Sequence, residues 1–237
     1  MIKTILFDLD GTLLPMDQSV FTKAYFKGLA AKLAPHGYTD AKALIDAIWA
    51  GTAAMVANDG SVTNECKFWD KFSEILGEDI RKCEPILEDF YKNEFQSVKD
   101  ACGFDADAAP VIKALRDRGY RLFLATNPIF PAIATESRIK WAGLSTSDFE
   151  LYTTYENSRH SKPNLDYYKD ILAAAGLSPD ECLMVGNDVG EDMVAENLGT
   201  SVFLITHSLI NKSGTDISRY PQGTLRDLLR YLDGQKL

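Results

Sequence analysis

The chain has 237 residues, of which 46% are hydrophobic and 25% are charged, so it is long enough to bury a core without disulfide or metal crosslinks. Its 34 acidic residues against 25 Lys and Arg residues give a net charge of −9. That sign argues against coating of nucleic acid and against docking on an anionic membrane. It allows a small phosphorylated substrate if a metal or a few cations reverse the field locally.

The first predicted element is a strand over residues 2–7, whose apolar residues do not alternate and therefore indicate a strand covered on both faces. The polar turn Asp8-Leu9-Asp10-Gly11-Thr12 follows it directly. From residue 17 to about residue 99, apolar residues recur at three- and four-residue spacing. Glycine-containing breaks near residues 37, 60 and 77 divide this segment into about four helices, and no strand is predicted there.

Strands and helices alternate after residue 103. Each predicted helix except the last ends at a glycine and is followed by a short strand, which indicates βαβ units in a parallel sheet. The strands are predicted at about 120–125, 149–152, 181–185 and 201–206, and the helices at about 106–118, 131–142, 164–176, 190–198 and 224–233. The predicted fold is therefore α/β. A Rossmann-like parallel sheet forms the core from residues 1–15 and 100–237, and an all-helical cap domain of residues 16–99 is inserted after the first strand.

The cysteines and the apolar segments indicate the cellular compartment. The four cysteines contain no C-x-x-C pair, so a disulfide framework or a zinc site is not expected. No apolar run approaches the roughly 20 residues that span a bilayer, and the N-terminal apolar stretch is too short for the core of a signal peptide. We therefore expect a protein of the reducing cytoplasm.

Polar residues follow three of the predicted strands. Asp8 and Asp10 follow the first, Thr126-Asn127 follow the second, and Asn187-Asp188 follow the fourth. Ligands of a parallel sheet bind beyond the carboxyl ends of its strands, so we expect these residues to lie close together. Lys162, at the start of a predicted helix, is expected to join them.

Such a cluster suits phosphoryl transfer. Carboxylate and carbonyl oxygens with open positions favour Mg²⁺, which bridges phosphate oxygens. The three histidines lie away from these strand ends, which argues against zinc. A carboxylate can attack phosphorus to form an aspartyl-phosphate, and a second carboxylate two residues away can protonate the leaving oxygen and then activate water.

In chain order, Asp8-x-Asp10-Gly11-Thr12, Thr126-Asn127, Lys162-Pro163 and Gly186-Asn187-Asp188-x-x-x-Asp192 resemble the four motifs of the haloacid dehalogenase (HAD) superfamily. The helical insert between the first two motifs resembles its C1-type cap. The resemblance runs from residue 4 to about residue 205. It implies that Asp8 is the nucleophile and a Mg²⁺ ligand, and that Asp10 is the general acid/base with its backbone carbonyl on the metal.

The resemblance also implies roles for the later motifs. Thr126 and Asn127 would bind the transferring phosphoryl group, and Lys162 would neutralise the nucleophile and the phosphate. Asp188 would be a direct metal ligand. Asp192 would hold a metal-bound water or orient Lys162.

Asp10 distinguishes the branches of the superfamily, because the dehalogenases lack a second Asp at the matching position. The resemblance therefore favours a Mg²⁺-dependent phosphatase acting on a small phosphorylated metabolite over a dehalogenase. A phosphomutase or phosphotransferase would use the same core residues and stays open. A non-catalytic binding module is less expected, since it would usually have lost Asp8, Asp10, Lys162 or Asp188.

Ordinary structural roles compete with these for some residues. Asp8 and Asp10 could form a turn, and Thr126-Asn127 could cap a helix. Glu191 and the cap cations Lys67, Arg81 and Lys82 are expected to face solvent, and His160 to be a surface loop residue. Phe68, Trp69 and Phe72 are expected to form bundle core. The loop of residues 58–64 is a candidate for recognising the leaving group.

Overall fold

The computed structural model describes residues 1–234, and within them a six-stranded sheet has all neighbouring strands parallel. The strand order is β3-β2-β1-β4-β5-β6. The strands are β1 (Thr4–Phe7), β2 (Arg121–Leu124), β3 (Leu151–Tyr152), β4 (Cys182–Gly186), β5 (Ser201–Ile205) and β6 (Gln222–Gly223). The parallel sheet predicted from the glycine-closed helices and short strands is confirmed.

The central strand β1 is buried on both faces, which explains why its sequence is continuously apolar. Ile5 and Phe7 belong to a large hydrophobic cluster on one face of the sheet. Leu6, which points the other way, belongs to a second cluster that includes Met184 and Tyr167. Successive side chains of a strand point to opposite faces, so two apolar faces require an unbroken apolar run.

Four α-helices lie between β1 and β2, as the apolar spacing predicts. They are α1 (Gln18–Leu33), α2 (Ala41–Val56), α3 (Asn64–Leu76) and α4 (Glu84–Lys92), and short 3₁₀ segments follow α1, α3 and α4. The side chains of Asp17, Asp40 and Thr63 accept backbone N–H groups at the starts of α1, α2 and α3. These caps fix where three of the helices begin.

The helices of the insert pack on the sheet portion of the molecule through aromatic contacts. The rings of Phe95 and Trp141 lie 4.9 Å apart, and Phe21 contacts Phe130 edge to face at 6.1 Å. The large hydrophobic cluster therefore continues from the sheet into the insert. The division into a core of 1–15 and 100–237 and a cap of 16–99 remains our proposal.

The second half of the chain supplies α5 (Ala108–Asp117), α6 (Ala132–Trp141), α7 (Leu165–Ala175) and α8 (Leu225–Gly234). The helix predicted at 190–198 is wrong in type and length, because the structure has a 3₁₀ helix at Met193–Leu198. The Asp188 side chain accepts the N–H groups of Gly190 and Glu191, which holds residues 188–191, just before this 3₁₀ helix, in a turn. The two-residue strand β6 was not predicted.

A membrane-spanning helix is also absent from residues 1–234: none of the helices there is both long and apolar enough.

Candidate active site

The carboxyl ends of three neighbouring strands bring the predicted residues together. Phe7, the last residue of β1, is in register with Leu124 of β2 and Val185 of β4. Asp8, Thr126 and Asp188 follow these positions by one to three residues, so they emerge at the same edge of the sheet. The convergence expected from the sequence is present.

Lys162 lies at the centre of this edge and is 1% exposed. Its Nζ donates to Asp8 Oδ1 at 2.9 Å and to Asp192 Oδ1 at 2.6 Å. Burial alone would lower the pKa of Lys162, but the carboxylates of Asp192 and Asp8 raise that pKa well above its ordinary value. The ammonium group therefore stays charged and holds the Asp8 carboxylate in one orientation.

Asp192 connects Lys162 to the end of β4. Its Oδ2 accepts the backbone N–H of Asp188 at 2.9 Å, and Gly186 has no room for a Cβ because the Asp192 carboxyl group lies against it. Burial raises the pKa of Asp192 to about 7, although Lys162 lowers it. The contact with Lys162 fits the predicted orienting role of Asp192, which remains a proposal.

The turn that follows Asp8 also positions its carboxylate. The Thr12 hydroxyl is 3.2 Å from Asp8 Oδ2 and 3.0 Å from Asn187 Oδ1. Gly11 has φ of +92° and lies against the Asn187 side chain, so a Cβ at this position would collide with it. The glycine thus lets the β1 turn approach the β4 turn closely.

Asp10 has a partner that the sequence did not reveal. The Arg138 guanidinium, carried by α6 and 1% exposed, forms an ion pair with Asp10 Oδ2. Arg138 also lies over the Phe130 ring at 4.4 Å. Asp10 Oδ1 is buried and has no hydrogen-bond partner among residues 1–234. Burial raises the pKa of Asp10, and Arg138 opposes that rise.

The end of β2 presents Thr126 and Asn127. The Thr126 carbonyl accepts hydrogen bonds from Thr153 and Tyr167, which fixes the backbone there. Asn127 Nδ2 donates to Glu191 Oε2 at 3.0 Å. The expectation that Glu191 simply faces solvent is therefore wrong, because its carboxylate is part of this edge and burial raises its pKa.

The loop of residues 58–64 joins the cap to the sheet edge and does not line the cavity next to the site. Asn64 is fully buried and donates to the Pro128 carbonyl at 3.1 Å and to Ser161 Oγ at 3.1 Å. Asn58 donates to Asn64 Oδ1. The buried side chains of Asn58 and Asn64 thus have a structural function, and the recognition role predicted for this loop stays a prediction.

His160 is more enclosed than the expected surface residue. Its side chain is 14% exposed, and its Nδ1 lies 2.7 Å from Asp170 Oδ2. The ring packs against Gly60 of the cap loop, where an added Cβ would meet it. His160 therefore belongs to the contact between cap and core.

The donor atoms at this edge suit a hard cation. Within residues 1–234 no group of three or more His, Cys, Asp or Glu side chains is arranged to hold a metal. The metal ligands implied by the resemblance are instead the Asp8 and Asp188 carboxylates and the Asp10 backbone carbonyl. Asp188 Oδ1 is engaged by two backbone N–H groups, whereas no hydrogen bond within the described chain reaches its Oδ2. Oxygen donors with open positions match the preference of Mg²⁺.

Comparisons with known proteins agree with this geometry. A family model described as haloacid dehalogenase-like hydrolase matches residues 2–197. A glyceraldehyde 3-phosphate phosphatase from Methanothermobacter thermautotrophicus is 26% identical over 231 residues, which cover 92% of this chain and 95% of that relative. The pyrophosphatase PpaX of Anoxybacillus flavithermus is 25% identical over 199 residues, covering 84% of this chain and 81% of that protein.

Solved structures share the fold over nearly the whole chain. An HAD phosphatase from Thermococcus onnurineus superposes with a TM-score of 0.62 at 22% identity and covers all of both chains. A 2-haloacid dehalogenase from Pseudomonas syringae superposes with a TM-score of 0.65 at 17% identity, covering 99% of this chain and 100% of the other. At these identities the likeness establishes the architecture alone.

Proposed function

The chain belongs to the haloacid dehalogenase-like hydrolases, and on that premise we propose that it is a Mg²⁺-dependent phosphatase that hydrolyses a small phosphorylated metabolite through an aspartyl-phosphate on Asp8. The observation that carries the proposal is the buried contact of Lys162 with Asp8, beside the second carboxyl group of Asp10. Asp8 and Asp10 thus provide a nucleophile and a general acid/base two residues apart.

In the first step a carboxylate oxygen of Asp8 attacks phosphorus. Lys162 keeps the nucleophile oriented and offsets negative charge as the phosphate approaches. The bond to the leaving oxygen breaks as Asp10 gives that oxygen a proton. Burial raises the pKa of Asp10, which favours the protonated form that this step needs, and its unpartnered Oδ1 is free to carry the proton.

Residues at the end of β2 would bind the phosphoryl group. Thr126 is buried, and its backbone is fixed by Thr153 and Tyr167, so its hydroxyl has a defined position. Asn127 is restrained by its hydrogen bond to Glu191. Fixed donors at this edge stabilise charge that develops on the phosphoryl oxygens without reorganising during the reaction.

In the second step Asp10, now ionised, takes a proton from water that attacks the phosphoryl group, and the Asp8 carboxylate is released. Asp8 and Asp188, with the Asp10 carbonyl, are the residues that would hold Mg²⁺. When bound, Mg²⁺ neutralises negative charge on the phosphate oxygens. Asp10 also separates this proposal from dehalogenation, where the leaving halide needs no proton.

The substrate class rests on the relatives. Those named above are a glyceraldehyde 3-phosphate phosphatase and a pyrophosphatase, so a small phosphorylated compound is the natural proposal here. We also propose that the protein works in a reducing compartment such as the cytoplasm, because its four cysteines are free.

The test is release of inorganic phosphate from an aryl phosphate, with and without Mg²⁺, by the native chain and by Asp8→Asn. We expect turnover that requires Mg²⁺ and is lost in Asp8→Asn. Asp46→Asn, at an exposed site on α2 paired only with Lys42, is the matched control and should keep full turnover. Turnover that survives Asp8→Asn would disprove the nucleophile assignment. An isomeric phosphate ester in place of free phosphate would identify a phosphomutase.

A further inference from the structure

A cavity of about 800 Å³ lies between the cap helices and the sheet edge. Asp10, Asn127 and Glu191 are among its lining residues, so it is continuous with the proposed phosphoryl site. Much of the remaining wall is aromatic, including Phe21, Tyr25, Phe26, Phe68, Trp69 and Tyr155. Phe68 and Trp69 are therefore cavity wall as well as the bundle core expected from the sequence. A cavity of this size and lining suits a bulky apolar group, since ligand pockets are typically about 300–1,000 Å³.

The wall is also acidic. Glu65, Glu84, Glu88, Glu136 and Glu156 line it beyond the phosphoryl end, whereas Lys212 is the one Lys or Arg among the lining residues within 1–234. The cap cations Lys67, Arg81 and Lys82 are not in the wall and pair instead with surface carboxylates. Glu88 pairs with Lys92, whereas no ion pair within residues 1–234 compensates the other four, so a negatively charged leaving group would still meet several uncompensated carboxylates.

Three of these carboxylates form a group without counterions. Neither Glu65 nor Glu84 has an ion-pair partner in the part of the chain that the structure describes. Among the described residues, the Glu156 carboxylate has one hydrogen-bond donor, the backbone N–H of Ala132. All three line the same cavity, and burial raises the pKa of Glu65, with the Glu156 and Glu84 carboxylates raising it further.

Trp69 gives an independent indication that a ligand occupies this end. The residue is 6% exposed and lines the cavity. Within residues 1–234 its buried indole nitrogen makes no hydrogen bond of ordinary geometry, although the Tyr155 hydroxyl is close enough to interact with it. Buried unsatisfied donors are uncommon, and a ligand oxygen would satisfy this one.

We infer that the substrate is the phosphate ester of a bulky apolar alcohol that carries a positively charged nitrogen, and that the cavity rejects leaving groups with a second negative charge. Aromatic faces and carboxylates together are the surroundings that favour an organic cation. Like charges brought together out of water are strongly unfavourable. The inference rests on the proposed phosphatase function. It also predicts that pyrophosphate, whose leaving group is an anion, is a poor substrate.

The test compares three aryl phosphates of nearly equal size that differ in charge: tyramine O-phosphate, 4-ethylphenyl phosphate and 4-(carboxymethyl)phenyl phosphate. We expect kcat/KM to fall from the cationic to the neutral to the anionic compound, by about tenfold at each step, which corresponds to about 1.4 kcal/mol. Equal values, or a preference for the anionic compound, would overturn the inference while leaving the phosphatase proposal intact.

Variants test which carboxylates distinguish the cationic substrate from the neutral one. Glu65→Gln combined with Glu84→Gln should reduce the ratio of tyramine O-phosphate to 4-ethylphenyl phosphate towards one. Glu74→Gln is the matched control, because Glu74 lies on the same helix α3, pairs with Lys71 and is not part of the cavity wall. A ratio that is unchanged in the double variant would also overturn the inference.

A binding measurement separates this inference from the function itself. Calorimetry with the free alcohols should show tyramine binding about tenfold more tightly than 4-ethylphenol. If none of the phosphates is hydrolysed but this order holds, the phosphatase proposal is wrong and the account of the cavity stands. If tyramine and 4-ethylphenol bind equally, the account of the cavity is wrong.

Discussion

Lys162→Met tests whether the buried contacts at the sheet edge carry stability. The change removes a cation that lies 2.9 Å from Asp8 and 2.6 Å from Asp192. At an effective dielectric constant of about 20, each contact has a gross attraction of about 6 kcal/mol, much of which offsets the cost of burying the charges. Removing one partner of such a pair lowers the free energy of unfolding by about 3–5 kcal/mol.

The dependence of this loss on pH gives the sharper result. In the native chain without metal, burial raises the pKa of Asp192 to about 7 from an ordinary value of 3.8. The stability associated with that proton is present below about pH 4 and is lost as the pH rises to about 7. In the variant the cation that lowers this pKa is gone, so the loss continues above pH 7 by up to about 1.4 kcal/mol per pH unit. The deficit of the variant should therefore widen between about pH 7 and pH 9.

Urea denaturation in EDTA at three pH values measures this deficit. Lys169→Met, on α7 and exposed beside Asp166, is the matched control and should leave the free energy of unfolding within error of the native value. Asp192→Asn added to Lys162→Met should recover part of the loss, because it removes one of two buried like charges. A deficit that does not change with pH, or that equals the control, would refute this account.

Two further predictions concern residues that the motifs do not include. Arg138→Met leaves the Asp10 carboxyl group without the guanidinium that holds it and that favours the ionised form needed in the second step, so we expect kcat to fall by about a hundredfold and unfolding in urea to shift to lower concentration, with Arg138→Lys intermediate. Asn64→Ala leaves the Pro128 carbonyl and Ser161 without a buried donor, so the free energy of unfolding should fall by about 1–3 kcal/mol in urea denaturation. Native-like values in either variant would contradict the role given to that residue.

The sequence predicted the parts of the site that follow from chain order. Asp8, Thr126 and Asp188 each follow an apolar strand, and parallel strands end at one edge, so pattern alone places them together. The role of Lys162 was harder to predict, because nothing in the neighbouring sequence distinguishes it from an exposed lysine. Its place at the start of a predicted helix in the alternating part of the chain suggested that it joins the strand ends, and its role followed from the resemblance to a known family.

Other features depended on contacts that no local pattern records. Arg138 is one of two cations near the end of α6, and nothing in the sequence distinguishes it from Lys140. Its burial against Phe130 and Asp10 is visible only in three dimensions. Glu191 was expected in solvent because glutamates usually are, yet Asn127 binds it. The helix predicted at 190–198 from its closing glycine is a 3₁₀ segment that begins only at Met193, because the Asp188 side chain accepts the N–H groups of Gly190 and Glu191 and holds those residues in a turn.

The charges of the site connect the proposed metal dependence with the proposed selection against anionic leaving groups. Within residues 1–234, the carboxylates of Asp8, Asp10 and Asp192 pair with two cations, Lys162 and Arg138, and Asp188 has no ion pair, so this edge has an excess of negative charge before any phosphate arrives. The net charge of −9 offers no attraction from a distance. The proposed Mg²⁺ would reverse the field only at the strand ends, within a few ångströms of the phosphoryl group. The carboxylates farther along the cavity would keep their sign, and the charge of the leaving group would then decide which phosphate ester reacts.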